Sequence, residues 1–412
     1  MKVAVVYPPY YVFWGSRNGW MFQKPLNELS AVNIVSAFRE RGDESYLFNL
    51  DAISDKLIEG QKNMIDNYEL AYSRMKDSND ELYSRLSNDI IGFGADKVYI
   101  QVHQGNKMSA KNVIKNLRDK GYSGDITVFG WVDIEGVDYL PNPPEYYLNL
   151  QHYVIPDKDY FFYGISNDEF NALEFLRGCR YGMCKFCCKG SIYHRRYIFA
   201  VPVKDVMRDV ENRIEKYGVR KYYVLDNDFT ENEVLREIAR IKKEKSMDFS
   251  YMCEARADKC SEETMFLLKE SGCKRIKLGV EVYDNSALEK LGKGITEKDI
   301  DTAVRNARKY GIEVSVYILV TSAYGIGDRE YRKTIKWLKK VRPDYITISV
   351  LEPYEKTEMY EEFADRMYNG MKDFPAHWSK VALDFWINNG LSREVVDELF
   401  SLEKDLVSRR AI

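Results

Sequence analysis

The sequence predicts an α/β protein made of two successive parallel β-sheets covered by helices. Short apolar runs alternate with segments of helical periodicity up to about residue 130, and this alternation resumes at residue 171. It is typical of parallel sheets with helices on their faces. Glycines also stand where helical patterns end, as expected for helix C-termini: Gly218, Gly272 and Gly311.

These patterns divide the 412 residues, which are enough for two domains, into four parts. Residues 1–135 are interpreted as a Rossmann-like parallel sheet domain. Residues 136–170, rich in proline, tyrosine and asparagine, are expected to be a linker. Residues 171–356 are predicted to form a partial (β/α)6 barrel of the TIM type, and 357–412 a helical C-terminal segment.

The first domain is predicted to contain four strands and three helical segments. The strands are 3–7, 45–50, 97–102 and 126–129, and the helical segments are 26–41, 61–90 and 109–120. Ligands of parallel sheets lie at the carboxyl ends of strands. This rule places the following residues near any pocket: Pro8, Pro9, Tyr10, His103, Gln104, Gly105 and Trp131.

The second domain is predicted to contain six strands with helices between them. The strands are 172–177, 220–226, 248–254, 275–281, 312–320 and 344–350, and the helices are 202–217, 231–245, 261–271, 296–310 and 328–341. A barrel of this kind carries its active site at the carboxyl ends of its strands.

Composition limits the partners and the compartment. The net charge is −3 with 30% charged residues, which gives no overall electrostatic case for nucleic acid or an anionic membrane. No apolar run approaches the ~20 residues of a membrane span, and the N-terminus lacks the length and cleavage region of a signal peptide. Seven cysteines, four of them clustered, suit a reducing compartment, so we expect a cytoplasmic protein.

Three clustered cysteines are the most informative feature of the chain. Cys179, Cys184 and Cys187 lie within nine residues on a predicted loop that follows the first strand of the barrel. Three protein thiolates on a cubane-type iron–sulfur cluster leave one iron without a protein ligand, and that iron can bind a substrate or cofactor. A zinc site of three cysteines and His194 is the alternative, although the remaining cysteines form no second C-x2-C pair.

The cysteine loop followed by six βα units resembles the radical S-adenosylmethionine (radical SAM) enzymes over roughly residues 170–360. The usual family motif is C-x3-C-x2-C with an aromatic residue before the third cysteine. Phe186 occupies that aromatic position, whereas the first gap here has four residues. This departure leaves the geometry of the loop open more than the cluster itself.

Further segments resemble the subgroup shared by cobalamin-dependent and Elongator-like members, in order along the chain. They are Tyr223–Thr230, which resembles the second-strand Asp-Asp-x-Phe segment, Cys253–Asp258, Ser271–Glu281 with its Gly-x-Glu, Leu291–Thr296 and Leu351–Tyr360. One segment departs, since Val320–Asp328 replaces the common Gly-x-Pro-Gly-Glu.

The resemblance implies a [4Fe-4S] cluster on the three cysteines and S-adenosyl-L-methionine (SAM) chelated to its open iron. One electron from the cluster then cleaves SAM to a 5′-deoxyadenosyl radical. The carboxylates expected to accept hydrogen bonds from the SAM ammonium or ribose are Asp226, Asp228, Glu254 and Glu281. Arg256 is expected to hold the SAM carboxylate. For Asp228, capping of the following helix is the alternative.

The first domain resembles the cobalamin-binding domain that precedes the barrel in one branch of the family. Pro8-Pro9 and the strand–helix alternation carry this resemblance, whereas the Asp-x-His-x-x-Gly ligand motif is absent at Gln101–Gly105. A domain that binds substrate or only packs is the alternative. His103 is expected to be a packing or hydrogen-bonding residue rather than a cobalt ligand.

The favoured function is cobalamin-dependent methyl transfer to an unactivated carbon by a radical SAM enzyme. A cobalamin-free radical rearrangement or modification is the first alternative, and an iron–sulfur electron-transfer or zinc protein is the second. We expect a small-molecule or peptide substrate and a reducing partner such as flavodoxin or ferredoxin. Aromatic residues of the C-terminal segment are expected to form either a surface stripe or a substrate lid: Phe374, Trp378, Phe385 and Trp386.

Overall fold

The computed structural model describes most of the chain as two compact units. The described residues are 1–9, 29–50, 68–130, 132–141, 156–167, 170–187, 199–368, 371 and 380–408. Those up to Phe170 belong to the first unit and those from Asn171 onward to the second.

The first unit is a parallel sheet of five strands in the order β2-β1-β3-β4-β5. The strands are β1 (Lys2–Tyr7), β2 (Glu44–Asn49), β3 (Lys97–Val102), β4 (Asp125–Gly130) and β5 (Asp138–Pro141). The helices are α1 (Leu29–Glu40), α2 (Tyr68–Lys76), α3 (Glu81–Phe93) and α4 (Lys107–Asp119). β1 lies between β2 and β3 and is fully buried from Val3 to Val6, which explains its uninterrupted apolar sequence.

The expected linker contributes to this unit. β5 pairs in parallel with β4, and the Tyr139 hydroxyl donates to the Gly130 carbonyl at 2.9 Å. At the opposite edge of the sheet, the ring of Phe162 stacks on Phe48 with centroids 4.2 Å apart. The fifth strand is only four residues long and ends in a proline, which is tolerated at a sheet edge, so periodicity alone did not predict it.

The second unit is built on six parallel strands in the order β13-β12-β11-β10-β9-β6, which form a partial barrel. The strands are β6 (Ala172–Leu173), β9 (Lys221–Val224), β10 (Ser250–Ala255), β11 (Cys273–Glu281), β12 (Glu313–Val320) and β13 (Tyr345–Val350). The helices that alternate with them are α5 (Val203–Tyr217), α6 (Asn232–Glu244), α7 (Glu262–Ser271), α8 (Asn285–Lys290), α9 (Glu297–Lys309) and α10 (Asp328–Val341). The predicted fold class is thus confirmed.

The first predicted strand of the barrel is split in two. Only β6 joins the barrel sheet, whereas β7 (Leu176–Arg177) pairs antiparallel with β8 (Phe199–Ala200). Between β6 and β7 the backbone N–H of Phe175 donates to the carboxylate of Asp226 at 2.8 Å. A side chain therefore takes the place of the sheet partner at this point, and the chain turns toward the cysteine loop.

The strands of the barrel have one face toward the helices and one inner face. On β12 the residues that face the helices are fully buried valines and isoleucine: Val314, Val316, Ile318 and Val320. The alternating residues of the inner face are Ser315, Tyr317 and Leu319. The inner face is more polar than the outer one, which leaves it available for ligands.

The C-terminal helices of the second unit are α11 (Glu358–Phe363), α12 (Lys380–Asn388) and α13 (Arg393–Ser408). Trp386 is fully buried and donates from Nε1 to the Leu351 carbonyl at 2.7 Å. Phe385 is buried beside it, so these two aromatics belong to the core and not to a surface stripe. Phe374 and Trp378 lie outside the described residues. No helix within the described ranges is long and apolar enough to cross a membrane.

Candidate active site

Cys179, Cys184 and Cys187 lie on one loop that follows β7. None of the three forms a disulfide, and all three are partly exposed. The backbone N–H of Cys187 donates to the Cys184 carbonyl at 3.2 Å, so the second and third cysteines lie on one turn. Burial raises the pKa of Cys184 to about 12 in the protein without a cluster. Cys188 and His194 lie outside the described residues.

The turn Leu291–Gly294 is hydrogen-bonded to this loop. The Lys185 N–H donates to the Leu291 carbonyl at 3.1 Å, and the Tyr181 hydroxyl donates to the Gly292 carbonyl at 2.8 Å. Gly292 and Gly294 both have a φ of +65°, and a Cβ on Gly294 would overlap the Tyr181 hydroxyl. Only glycine fits at this position without strain. The sequence match at this segment therefore has a structural reason that the sequence did not reveal.

Other segments hold the loop from further directions. The Met359 N–H donates to the Lys185 carbonyl at 3.2 Å, and the Lys185 ammonium pairs with Glu358 at 2.9 Å. At the start of the loop, the Asn227 side-chain amide donates to the Gly178 carbonyl at 2.8 Å. The loop before residue 188 is thus anchored at both ends.

A buried ion pair lies beside the cysteines. The Lys293 ammonium is 2.7 Å from Oε1 of Glu281, and about a tenth of each side chain is exposed (11% and 10%). Burial alone would lower the pKa of Lys293, but the charge of Glu281 and the hydrogen bond to it help to offset this effect, and the pKa is raised. The Lys293 ammonium also lies 6.0 Å from the ring centroid of Phe186. Sequence reasoning gave Lys293 no role.

Glu281 has an unusual backbone. Its φ is +60°, in the left-handed region, and the pairing of β11 with β12 shifts register between Gly279 and Glu281. A Cβ on Gly279 would lie 2.8 Å from the Glu281 carboxylate. This bulge aims the Glu281 side chain at Lys293, and residues held in such strained conformations cluster at functional sites.

Arg256, which directly follows β10, contacts the cysteine loop. Its guanidinium lies 3.7 Å from the ring centroid of Tyr181 and donates to the Lys293 carbonyl at 3.1 Å. Asp258 pairs with its Nε at 3.1 Å. Arg256 is 7% exposed, and these contacts hold its guanidinium against the loop.

The two aspartates of the second-strand segment have different surroundings. Asp226 is buried and accepts from the Phe175 N–H, and desolvation holds its pKa well above the usual range. Asp228 accepts from the Thr230 hydroxyl at 2.8 Å and from the Arg256 N–H at 3.2 Å. Helix α6 begins after Glu231 as its N-cap residue, so Asp228 does not cap that helix. Asp226 therefore holds the backbone between β6 and β7, whereas Asp228 binds the backbone of Arg256.

Two further hydrogen-bond acceptors are Glu254, on β10, and Asn227, which follows β9. Glu254 is half-buried and accepts from the Tyr223 hydroxyl at 2.8 Å. Oδ1 of Asn227 is buried and has no hydrogen-bond partner in the part of the chain that the structure describes. A buried acceptor without a donor is costly, which fits a ligand that donates a hydrogen bond there. Within the same part, no three His, Cys, Asp or Glu side chains are arranged to hold a single metal ion.

The first unit has a polar pair at the carboxyl edge of its sheet. The strand order changes direction between β1 and β3, which is where ligands of such sheets bind. Here the Tyr7 hydroxyl lies 3.2 Å from Nε2 of His103, and burial lowers the pKa of His103 to about 4. His103 is thus a neutral, hydrogen-bonded imidazole. Tyr10 and Trp131, which the sequence also placed near a pocket, lie outside the described residues.

Comparison with known proteins finds a family match within the second unit. Residues 173–338 match the model of the radical SAM superfamily. The chain is 28% identical over 233 residues to the uncharacterized methyltransferase PH0819 of Pyrococcus horikoshii, covering 55% of this chain and 47% of that protein. It is 26% identical over 286 residues to the hopanoid C-3 methylase of Methylococcus capsulatus, covering 67% of this chain and 52% of that protein. The chain spans about half the length of these curated relatives.

Solved structures share the fold over most of the chain. The radical SAM methyltransferase TsrM from Kitasatospora setae, with tryptophan substrate and a SAM analog bound, has a TM-score of 0.67 at 15% identity and covers 89% of this chain and 76% of its own. The cobalamin-dependent radical SAM enzyme OxsB has a TM-score of 0.57 at 15% identity and covers 90% of this chain and 56% of its own. The chain thus matches the radical SAM superfamily over residues 173–338, and it shares its fold with these solved structures.

Proposed function

We propose that the protein is a cobalamin-dependent radical SAM methyltransferase. In this proposal Cys179, Cys184 and Cys187 hold a [4Fe-4S] cluster, residues from 171 onward form the catalytic domain, and residues 1–170 form the cobalamin-binding domain. The observation that carries the proposal is the set of three cysteines outside any disulfide on one anchored loop, with the Lys293–Glu281 pair and Arg256 beside it.

The residues fit a cluster despite the longer first gap. The extra residue lies in the stretch 180–183, where the Tyr181 ring is held under Arg256 and its hydroxyl bonds to Gly292. The stretch that contains the additional residue is therefore held in place by the contacts of Tyr181 with Arg256 and Gly292. The turn from Cys184 to Cys187 is left with the usual two-residue spacing.

The residues around the loop also fit SAM. When bound to the cluster, SAM supplies a 5′-deoxyadenosyl radical that abstracts a hydrogen atom from the substrate. Arg256 and Lys293 are cations suited to the SAM carboxylate. The acceptors suited to its ammonium and ribose hydroxyls are Asn227, Asp228, Glu254 and Glu281, while Phe186 lies on the loop between the second and third thiols. Asp226 would act indirectly, by holding the backbone between β6 and β7 that leads to the cysteine loop.

Methyl transfer is supported by the relatives and by the first unit. Both curated relatives described above are named as methyltransferase or methylase, and OxsB, which shares the fold, is described as cobalamin-dependent. The parallel sheet of the first unit presents Tyr7 and His103 at the edge where ligands of such sheets bind. The cobalamin would carry the methyl group to a carbon of a small-molecule substrate, and a one-electron donor such as flavodoxin or ferredoxin would reduce the cluster.

One anaerobic experiment tests this proposal. The full chain is isolated without oxygen, reconstituted with iron and sulfide, and incubated with SAM and dithionite. We expect one four-iron cluster per chain and formation of 5′-deoxyadenosine, with retention of added hydroxocobalamin. Stoichiometric zinc in place of iron would overturn the proposal. A protein that cleaves SAM but retains no corrin would be a cobalamin-free radical SAM enzyme.

A further inference from the structure

Four polar side chains from four neighbouring strands meet on the inner face of the barrel sheet. They are Tyr223 on β9, Glu254 on β10, Lys277 on β11 and Tyr317 on β12, and we call them the inner-face tetrad. Lys277 is 3% exposed and Tyr223 is 6% exposed. A buried ammonium costs much more than a methionine or leucine of similar volume. Its presence here therefore calls for a reason beyond packing.

Hydrogen bonds join Lys277 to Tyr223, Tyr223 to Glu254, and the hydroxyls of Tyr223 and Tyr317 to each other. An ammonium has no lone pair, so Lys277 donates to the Tyr223 hydroxyl, at 3.4 Å, and cannot accept from it. Tyr223 in turn donates its own proton to Oε1 of Glu254 at 2.8 Å. The Lys277 ammonium also lies over both tyrosine rings, 5.0 Å from the centroid of Tyr223 and 4.7 Å from that of Tyr317. Lys277 thus holds the Tyr223 hydroxyl in place, and this hydroxyl in turn holds the Glu254 carboxylate.

Glu254 links the tetrad to the site. It is half-buried, its strand leads directly to Arg256, and its carboxylate is one of the acceptors assigned above to SAM. Lys277 is the register partner of Glu254 on the neighbouring strand. We propose that Lys277 is a positioning residue for SAM binding, acting through Tyr223 to hold the Glu254 carboxylate in place. The inference rests on the proposed function, because it takes SAM as the ligand of Glu254.

Arg275 provides a matched control. It is a second buried cation on β11, two residues before Lys277 on the same face, and it is also 3% exposed. Its guanidinium pairs with Glu313 at 2.8 Å and lies 3.4 Å from the ring centroid of Tyr345. Removal of Arg275 should therefore lower stability without disturbing the chain from Lys277 to Glu254.

The test measures SAM affinity of the reconstituted full chain by anaerobic equilibrium dialysis. Lys277→Met and Tyr223→Phe should each raise the Kd for SAM by about tenfold, as expected when a buried polar partner is lost. Because both residues act in one chain of bonds, the double variant should bind SAM no more weakly than either single variant. Arg275→Met should lower the thermal midpoint but leave the Kd within about twofold.

Several outcomes would overturn the inference. These are unchanged SAM affinity in Lys277→Met, losses in the two single variants that multiply in the double variant, or an equal loss of affinity in Arg275→Met. If Lys277→Met does not fold, the same cycle is run with Lys277→Arg, which keeps a donor but moves it. Wild-type protein that does not bind SAM would overturn the proposed function together with this inference. Wild-type protein that cleaves SAM, beside a Lys277→Met variant of equal affinity, would overturn the inference alone.

Discussion

The ammonium of Lys293 lies 2.7 Å from the carboxylate of Glu281, and both side chains are nearly buried beside the cysteine loop. Lys293 belongs to the turn that bonds to the loop, and Glu281 ends the longest strand of the barrel. The pair therefore ties the cysteine loop to the sheet, and it places a cation and a carboxylate next to the predicted cluster.

Removing one partner of this pair should destabilise the protein more than removing both partners. Lys293→Met or Glu281→Gln leaves one buried charge without its partner, which typically costs about 3–5 kcal/mol. The double variant should be more stable than the sum of the single losses predicts. Thermal unfolding followed by circular dichroism measures this. Lys333→Met, which removes exposed pairs with Asp284 and Glu297, is the control and should cost less than about 1 kcal/mol. Additive losses would contradict the coupling.

Removal of the clustered thiols should abolish the cluster. Changing Cys179, Cys184 and Cys187 together to Ala should leave almost no iron or sulfide after reconstitution, because the three irons that bind protein thiolates then lose them. Cys253→Ala is the control within the barrel, since that thiol is fully buried on β10. Cys188→Ala should also retain the cluster, although Cys188 lies outside the described residues. Iron loss in either control would show that the ligand set is wrong.

Gly294→Ala should loosen the cysteine loop. A side chain there is strained at a φ of +65° and also meets Tyr181, whereas Gly218→Ala has a similar φ of +70° with open space around it. Both variants should lose about 1–2 kcal/mol from backbone strain. Only Gly294→Ala should also lose its cluster faster on exposure to a chelator. Equal chelator sensitivity in the two variants would mean that the contact with Tyr181 does not hold the loop.

Most of the fold follows from the sequence, because strands buried on both faces and helices that end at glycine have strong local patterns. The predicted helix 328–341 is observed at those bounds. The exceptions depend on tertiary contacts. Asp226 interrupts the first strand by binding the Phe175 N–H, and the short edge strand β5 has no pattern of its own. Neither a carboxylate that replaces a sheet partner nor an edge pairing can be read from periodicity.

The candidate site was less completely predictable. Motif resemblance singled out Glu281 and Arg256, but neither Lys293 nor Asn227 was given a role. Both act through tertiary contacts, Lys293 with Glu281 and Asn227 with the Gly178 carbonyl, and no local sequence pattern reports these contacts. The glycine pair around Lys293 was the available signal, since two glycines flanking one lysine indicate a turn that approaches another backbone closely.

The protein should become less stable in mildly acidic solution because of His103. Its pKa is about 4 in the folded protein and 6.5 when exposed. Above pH 6.5 both states are neutral at this residue; as the pH falls from 6.5 to about 4, only the unfolded state takes up the proton, and stability is lost. The full loss is about 3 kcal/mol. Thermal midpoints across this pH range should fall less steeply in His103→Gln, and identical profiles would show that His103 is not buried as a neutral group.

Cobalamin bound to the first unit should not take its axial ligand from His103. Nε2 of His103 is engaged with the Tyr7 hydroxyl at 3.2 Å, and its backbone N–H donates to Asn106 at 2.8 Å, so the imidazole is fixed in the sheet edge. To ligate cobalt, the His103 imidazole would have to break its hydrogen bond to Tyr7 and leave its buried position. We therefore expect equilibrium dialysis to give micromolar or tighter binding of hydroxocobalamin to both wild-type protein and His103→Gln. The electron paramagnetic resonance spectrum of the reduced cobalt should be the same in both, with no splitting from a histidine nitrogen. Nitrogen splitting that disappears in His103→Gln would make His103 a ligand, and absence of corrin binding in the wild type would remove the methyl carrier while leaving the radical SAM domain in place.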